Sequence, residues 1–204
     1  LEVVPTDVST QIYYIKYPSS NSESITVATV RPETIFGDVA IAVNPNDSRY
    51  TSLKKETFTI PLTSRSIPLI FDEYSDPKMG SGAVKITPAH DFNDFEIGKR
   101  HNLELLNILN EDGSLNENCP KEFQGLDRFE ARKKVVNLLK EKGFIEKIED
   151  YKTTIPYGDR SNTVVEPFLT HQWFCNAEEL AKQAMKVVKD CLLYTSDAAD
   201  DSLG

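Results

Sequence analysis

The sequence predicts a mixed α/β protein in which short β-strands build a barrel-like or sandwich core and helices lie at its periphery. Between residues 11 and 71, short β-branched and aromatic runs alternate with turn-rich clusters such as PSSNSES and NPNDS. Many short strands at this spacing are typical of a barrel or a sandwich. After residue 90 the apolar residues recur at helical spacing instead. The strands are therefore expected in the first part of the chain and the helices in the second.

Each element has its own local signal. Strands are predicted for QIYYIKY at 11–17, ITVATV at 25–30, VAIAV at 39–43, FTI at 58–60 and IPLIF at 67–71. A helix at 91–101 follows Pro88 and carries acidic residues in its first turn. A second helix at 127–142 begins at the capping residue Asp127 and ends before Gly143, and a third covers 177–189. Residues 151–174 are expected to form an extended connector with short strands, interrupted by prolines, rather than a core element.

Composition limits the classes of function. The 204 residues carry 23 Lys and Arg against 32 Asp and Glu, a net charge of −9, which argues against a phosphate-binding footprint over the whole surface. No apolar run approaches the roughly 18 residues of a membrane span, so neither membrane insertion nor secretion is expected. The cysteines Cys119, Cys175 and Cys191 are far apart and are expected to be reduced thiols of a cytosolic protein. Since the chain opens on Leu1, a fragment of a longer protein is expected.

The segment GSGAVKITPAHDFND at 80–94 combines close glycines, a strand ended by proline and two carboxylates. At 100° per residue Asp91, Asp94 and Gly98 would share one helix face, which could admit a ligand. A helix N-terminus favours the ionised carboxylate and lowers its pKa, so a cation anchor is favoured over a general base. The alternative is that Asp91 only caps the helix and that Asp94 is solvated.

Strand alternation places Lys85 and Thr87 on one face just before this turn, either facing a ligand or facing solvent. In TVRPETIFGD at 29–38, Pro32 favours an extended Arg31 that could present its guanidinium to a carbonyl or a phosphate. An ion pair within the protein is the alternative for Arg31.

For two other candidates, a structural role is favoured over a functional one. His90 precedes Asp91, but no metal-type histidine spacing and no nucleophile motif accompany it, so a packed or hydrogen-bonding role is expected. The segment 128–142 has a local charge excess of +4 and could meet a phosphate backbone or form a solvated helix face.

Five collinear segments resemble the editing domain of valyl-tRNA synthetases, which are class I aminoacyl-tRNA synthetases. They are TVRPETIFGDVAIAVNP, GSGAVKITPAHDFNDFEIGKRH, LNILNEDGSLNE, FQGLDRFEARKKVV and TVVEPFLTHQWF. Leucyl and isoleucyl synthetases share the domain, but the form K-I-T-P-A-H-D-x-x-D resembles the valyl version. The HIGH and KMSKS signatures of the catalytic half do not occur in this sequence.

The resemblance implies a β-barrel-like editing domain with peripheral helices that hydrolyses threonine wrongly esterified to tRNA(Val), an aminoacyl-tRNA deacylase within a valine-tRNA ligase. It implies that Asp94 holds the substrate α-ammonium and that Asp91 reads the threonine hydroxyl. Further residues implied to contribute to catalysis or substrate binding are Lys85, Thr87, Arg31, Thr29 and Thr34. A positioned water would attack the ester, with no side-chain nucleophile. The alternative is a module that docks the tRNA acceptor end without hydrolysing by itself.

The resemblance also implies partners and organisation. The partners are the tRNA(Val) acceptor end, the mischarged threonine and the catalytic domain of the same parent chain, in the cytoplasm and with no membrane. No cofactor is expected here, since ATP and Mg belong to the absent catalytic domain, and no metal, since Gly158 and Ser161 stand where some relatives carry zinc-binding cysteines. The implied organisation is an editing domain at 1–150, connector strands and a helix at 151–190, and a non-native or disordered tail at 191–204.

Overall fold

A computed structural model of the chain describes residues 2–19, 23–54 and 56–190. The strands are β1 (Val3–Pro18), β2 (Ser24–Thr29), β3 (Ala40–Val43), β4 (Thr57–Thr59), β5 (Ser66–Phe71), β6 (Ala83–Ile86) and β7 (Ile145–Gly158). The helices are α1 (Phe92–Arg100), α2 (Arg128–Glu141) and α3 (Ala177–Lys189), with two 3₁₀ helices at Pro32–Gly37 and Ser48–Leu53. Each of the five strands and three helices predicted from local patterns is present, so the mixed α/β class is confirmed.

The strands form two sheets. The first has the order β2-β1-β7 with antiparallel pairing throughout, and the second has the order β4-β5-β3-β6. In the second sheet β3 and β5 are parallel, whereas β4–β5 and β3–β6 are antiparallel. Over the described residues these sheets do not close into a barrel, so "barrel-like" describes the fold only loosely.

Strand β3 separates two apolar clusters. Ile41 and Val43 point into the main core, which also contains the fully buried Phe36 and Phe58. The alternate residues Ala40 and Ala42 pack with Ile86 and Ile97 in a smaller cluster beneath α1. Both faces of β3 are thus covered, which explains why its sequence is an unbroken apolar run without polar alternation.

The helix boundaries follow the capping signals. The Asp91 carboxylate accepts hydrogen bonds from the N–H groups of Asn93 and Asp94, and the Asp127 carboxylate caps α2 in the same way. After α2 the backbone turns at Gly143 with φ of +73°, a conformation that favours glycine. These local signals therefore fix where the helices begin and end.

Residues 151–158 of the predicted connector are strand, as expected, but they form the second half of the long strand β7 rather than a short strand. β7 pairs with β1 from Ile15 opposite Ile145 to Val3 opposite Gly158. The predicted domain boundary at residue 150 lies inside β7. One compact unit of the structure runs to Leu169 and a second begins at Thr170 and contains α3.

The helix α3 has no buried side chain. The predicted tail at 191–204 lies outside the described residues. Within the part of the chain that is described, no helix has both the length and the apolar character that a bilayer crossing requires.

Candidate functional site

A pocket of about 490 Å³ opens between the end of β2, strand β6 and the start of α1. The structure brings all seven predicted site residues together there. They are Thr29, Arg31, Thr34, Lys85, Thr87, Asp91 and Asp94. The pocket lies within the size range of small-molecule sites.

Two proline-containing turns position these side chains. Pro32 opens a 3₁₀ helix, and the preceding Arg31 has φ of −126° and ψ of 66°, which is outside the helical region but not the extended conformation that its sequence context predicts. Pro88 ends β6, and Gly98 of α1 lies against it, so that a Cβ on Gly98 would be 2.9 Å from the Pro88 Cγ. Gly98 therefore allows α1 to approach the strand. Its predicted place on a ligand-facing surface is wrong, since it does not line the pocket.

Asp94 is only 7% exposed, and its Oδ2 accepts a hydrogen bond of 2.8 Å from the backbone N–H of Thr87. Burial raises the pKa of Asp94 to about 6, although Lys85 and the Thr87 N–H act in the opposite direction. The sequence-based expectations of a lowered pKa and of a solvated side chain are both wrong, because burial outweighs the effect of the helix N-terminus.

Asp91 lies at the pocket but outside the helix. Its backbone is extended, and its Oδ1 accepts from Asn93 N at 2.8 Å and from Asp94 N at 3.1 Å. The capping role that was open as an alternative is thus confirmed. Because Asp91 is exposed and also lines the pocket, capping does not remove it from the candidate site.

Lys85 and Thr87 contact a carboxylate that the sequence analysis missed. Asp38 is fully buried, and its Oδ1 accepts from Lys85 Nζ at 2.8 Å and from Thr87 Oγ1 at 2.8 Å. Its Oδ2 accepts from the Tyr17 hydroxyl at 2.6 Å. Burial raises the pKa of Asp38, and the adjacent Lys85 opposes that shift. The interpretation of Lys85 and Thr87 as a solvent face is therefore wrong.

Arg31 is held by a network of ion pairs, which confirms that alternative while leaving Arg31 at the pocket. Its guanidinium donates to the carbonyl oxygen of His90 at 3.0 Å and to the carboxylate of Glu166. Glu166 also accepts from Arg128 Nε at 3.0 Å, and the buried Glu33 accepts from Arg132 at 2.7 Å. Arg128 and Arg132 of α2 thus form ion pairs with carboxylates of the protein itself. Neither of the two roles predicted for the charge excess of α2, contact with a phosphate backbone or a solvated helix face, describes these two side chains.

His90 is buried and neutral. Its Nε2 accepts from the N–H of Ile108 at 2.9 Å, and burial lowers its pKa to about 3, with Arg31 and Lys85 adding to the effect. The expected hydrogen-bonding role is confirmed. Since the lone pair of Nε2 is engaged, His90 is unsuited to act as a general base.

A metal site would need several ligating side chains close together. Across 2–19, 23–54 and 56–190, no group of three or more His, Cys, Asp or Glu is arranged to hold a metal ion. Cys119 is buried and free, Cys175 is exposed and free, and Cys191 lies outside the described residues. The absence of a metal remains a prediction.

Comparisons with known proteins identify the relatives of this chain. A family model described as "Leucyl-tRNA synthetase, editing domain" matches residues 51–140. Valine--tRNA ligases of Pelagibacter ubique, Francisella tularensis and Bacillus subtilis are 56%, 51% and 50% identical over 92%, 93% and 93% of this chain. The aligned region covers 22%, 21% and 22% of those proteins, so the chain spans about a fifth of the length of these relatives.

A solved structure shares the fold. It is the LeuRS–tRNA–LeuAMS ternary complex of Agrobacterium radiobacter K84, with a TM-score of 0.53 and 18% identity, covering 74% of this chain and 20% of that one. The family model, the ligase relatives and the shared fold lead to one assignment. This chain belongs to the editing-domain family of the aminoacyl-tRNA synthetases, in the form carried by valine--tRNA ligases.

Proposed function

We propose that this chain hydrolyses the ester that joins threonine to tRNA(Val) and so removes a wrong amino acid. The observation that carries the proposal is the buried Asp94 carboxylate in a pocket large enough for an aminoacyl group. In the reaction, water adds to the ester carbonyl carbon and the bond from that carbon to the ribose oxygen breaks. Threonine leaves as the free acid, and the tRNA regains its terminal hydroxyl.

Asp94 is suited to hold the substrate α-ammonium. An opposite charge at hydrogen-bond distance favours the ionised carboxylate, so ammonium binding lowers a pKa that burial, against the opposing effect of Lys85, has raised to about 6. The backbone N–H of Thr87 fixes Oδ2, which orients the carboxylate before the substrate arrives. Asp94 is therefore a substrate anchor that needs its charge.

The site is proposed to select threonine by its side-chain hydroxyl, which valine lacks. Threonine and valine have nearly the same shape, and a valine-specific apolar pocket that fails to reject threonine is the well-known example of this problem. A second site can separate the two amino acids if its polar groups are satisfied by the hydroxyl and remain unsatisfied beside a methyl group. Asp91 lines the same pocket as Lys85 and Thr87 and is proposed to contribute to the recognition of that hydroxyl, whose single hydrogen goes to one acceptor only.

The other end of the substrate is the terminal adenosine. Thr29, Arg31 and Thr34 line the pocket on the side of β2, where they are proposed to contact the ribose and the ester. The ion pairs of Arg31 hold its guanidinium in place, so that little side-chain freedom is lost on binding.

The chemistry is proposed to use a positioned water rather than a covalent intermediate. The described pocket lining contains no serine or cysteine, and His90 is neutral with its Nε2 engaged. The contribution of the protein is then orientation and electrostatics, supplied by Lys85, Thr87 and the anchored ammonium.

Most tRNA affinity is proposed to come from the remainder of the synthetase, with which this module would work in the cytoplasm. A net charge of −9 makes the isolated chain a weak and salt-sensitive partner for a polyanion. No cofactor is proposed for the module itself, since ATP and Mg serve the separate ligase site.

Deacylation of threonyl-tRNA(Val) and valyl-tRNA(Val) at low salt tests the proposal. Wild type is expected to release threonine much faster than valine, and Asp94→Ala to lose at least about 100-fold in rate because the ammonium loses its partner. The wild-type rate is expected to fall about tenfold between pH 7 and pH 5, as Asp94 with its pKa near 6 becomes neutral.

The control is Asp127→Asn, which alters a helix-capping carboxylate of α2 and is expected to leave the rate unchanged. If wild type binds the acceptor end but releases threonine no faster than buffer, hydrolysis by this chain is refuted. The chain would then be a docking module.

A further inference from the structure

We infer that Asp38 is a positioning residue that fixes the hydrogen-bond polarity of Lys85 and Thr87, so that the pocket offers a ligand hydroxyl one acceptor and one donor. The inference rests on the proposed function and specifies how threonine is told from valine. Asp38 follows the 3₁₀ helix at Pro32–Gly37, whereas Lys85 and Thr87 belong to the β6 segment. The three residues meet only in the folded chain.

The contacts of Asp38 leave it one orientation. The Tyr17 hydroxyl donates to Oδ2 at 2.6 Å, and the guanidinium of Arg65 donates to the backbone carbonyl oxygen of Asp38. Oδ1 consequently faces β6, where it accepts from Lys85 and from Thr87 at 2.8 Å each. Since Asp38 is fully buried, water does not compete for these bonds.

The polarity follows from counting donors and lone pairs. An ionised carboxylate only accepts hydrogen bonds, so the Thr87 hydroxyl must donate its one hydrogen to Asp38. An ammonium only donates, so the Lys85–Thr87 contact uses one lone pair of Thr87 Oγ1. Thr87 then retains one lone pair, and Lys85 retains one of its three N–H groups. Both residues line the pocket.

This pair matches an alcohol. A hydroxyl can donate its hydrogen to Thr87 Oγ1 and accept from Lys85 Nζ at the same time, whereas a methyl group can do neither. A valine side chain in this place would bury a donor and an acceptor without partners, which is costly. Without Asp38, Thr87 is free to turn its hydrogen towards the pocket and Lys85 loses the charge that holds it, so the match is lost.

Binding of two non-hydrolysable ligands by the full chain tests the inference. The ligands are the threonyl and valyl amides of 3′-amino-3′-deoxyadenosine, and the quantity is the ratio of their affinities by calorimetry. Asp38→Ala is expected to reduce the threonine-to-valine ratio about tenfold, the effect of one lost hydrogen bond. Asp38→Asn retains an acceptor oxygen and is expected to restore part of the ratio.

A double-mutant cycle separates positioning from general damage. Thr87→Val is expected to lower the ratio about tenfold, and to add little when Asp38 is already alanine, because both changes remove the same interaction. The control Asp47→Asn alters an ion-paired carboxylate that does not line the pocket and is expected to leave the ratio unchanged.

Three outcomes decide the matter. If wild type favours threonine and folded Asp38→Ala keeps the wild-type ratio, the inference is overturned and the proposed function stands. If Asp38→Ala does not fold, an unchanged ratio in Thr87→Val overturns the inference equally. If wild type shows no preference, both the inference and the proposed threonine specificity fail.

Discussion

Replacement of Asp94 by asparagine is expected to stabilise the fold at neutral pH while removing the charge proposed to bind the substrate. The side chain is buried, and its pKa is raised from 3.8 to about 6. The folded state therefore binds a proton more tightly than the unfolded state does, and ionisation of Asp94 opposes folding. Asparagine has nearly the same shape, can accept from the Thr87 N–H through its carbonyl oxygen, and carries no charge.

The size of the effect follows from the pKa difference. A shift of roughly two units at about 1.4 kcal/mol each gives a cost of about 3 kcal/mol at pH 7, where the carboxylate is ionised in both states. The cost falls to about half of that value at pH 5, since the folded state is by then largely protonated, and to well under 1 kcal/mol at pH 4. The stabilisation by Asp94→Asn is expected to follow the same decline, reduced somewhat by the burial of its amide N–H₂.

Urea unfolding at pH 7.5 and pH 5, followed by circular dichroism, measures the free energy of unfolding of both proteins. The control is Asp91→Asn, since Asp91 is exposed and asparagine caps a helix as well as aspartate does. A variant Asp94→Asn that is no more stable than wild type at pH 7.5, or whose gain is equal at the two pH values, would show that burial does not govern this carboxylate.

Two further substitutions test contacts around the pocket. Glu166→Gln removes the charge that pairs Arg31 with Arg128 and is expected to raise the KM for threonyl-tRNA(Val) about fivefold with kcat unchanged, because Arg31 is less well held before binding. Gly98→Ala places a Cβ 2.9 Å from Pro88 and is expected to cost about 1–3 kcal/mol of unfolding free energy, seen as a lower Tm.

Each of these substitutions has a control. Glu149→Gln changes an exposed carboxylate on β7 and is expected to leave KM unchanged, so an equal rise in KM in both variants would contradict the role given to Glu166. Glu96→Ala alters the exposed side of α1 and is expected to leave the Tm near that of wild type. An unchanged Tm for Gly98→Ala would mean that α1 can move away from β6 at little cost.

The elements that sequence reasoning placed well have local causes. The starts of α1 and α2 follow from Asp91 and Asp127, each of which caps backbone N–H groups two and three residues ahead. The first half of strand β7 was missed because EKIEDYK at 146–152 is mostly polar on both faces and lacks the alternation that identifies a half-buried strand. Its partner β1 supplies the reason for its conformation, and β1 lies more than a hundred residues earlier.

The candidate site also contains features that local sequence predicts and features that depend on the folded chain. All seven residues suggested by the motifs line the pocket, but Asp38 was missed because Lys85, which pairs with it, is 47 residues away. The pKa of Asp94 was predicted in the wrong direction because a helix N-terminus can be read from neighbouring residues, whereas burial depends on the packing of the whole chain.

The ribbon formed by β1 and β7 has a mechanical consequence. Val3 lies opposite Gly158, so the two strand ends at the tip of the ribbon are side by side, roughly 5 Å apart. The ribbon itself, about 40 Å long at the usual rise per residue, would act as a lever arm. Because Ile12, Tyr151 and Thr153 of this ribbon also line the pocket, twisting of the arm would change the shape of the pocket as well as its position.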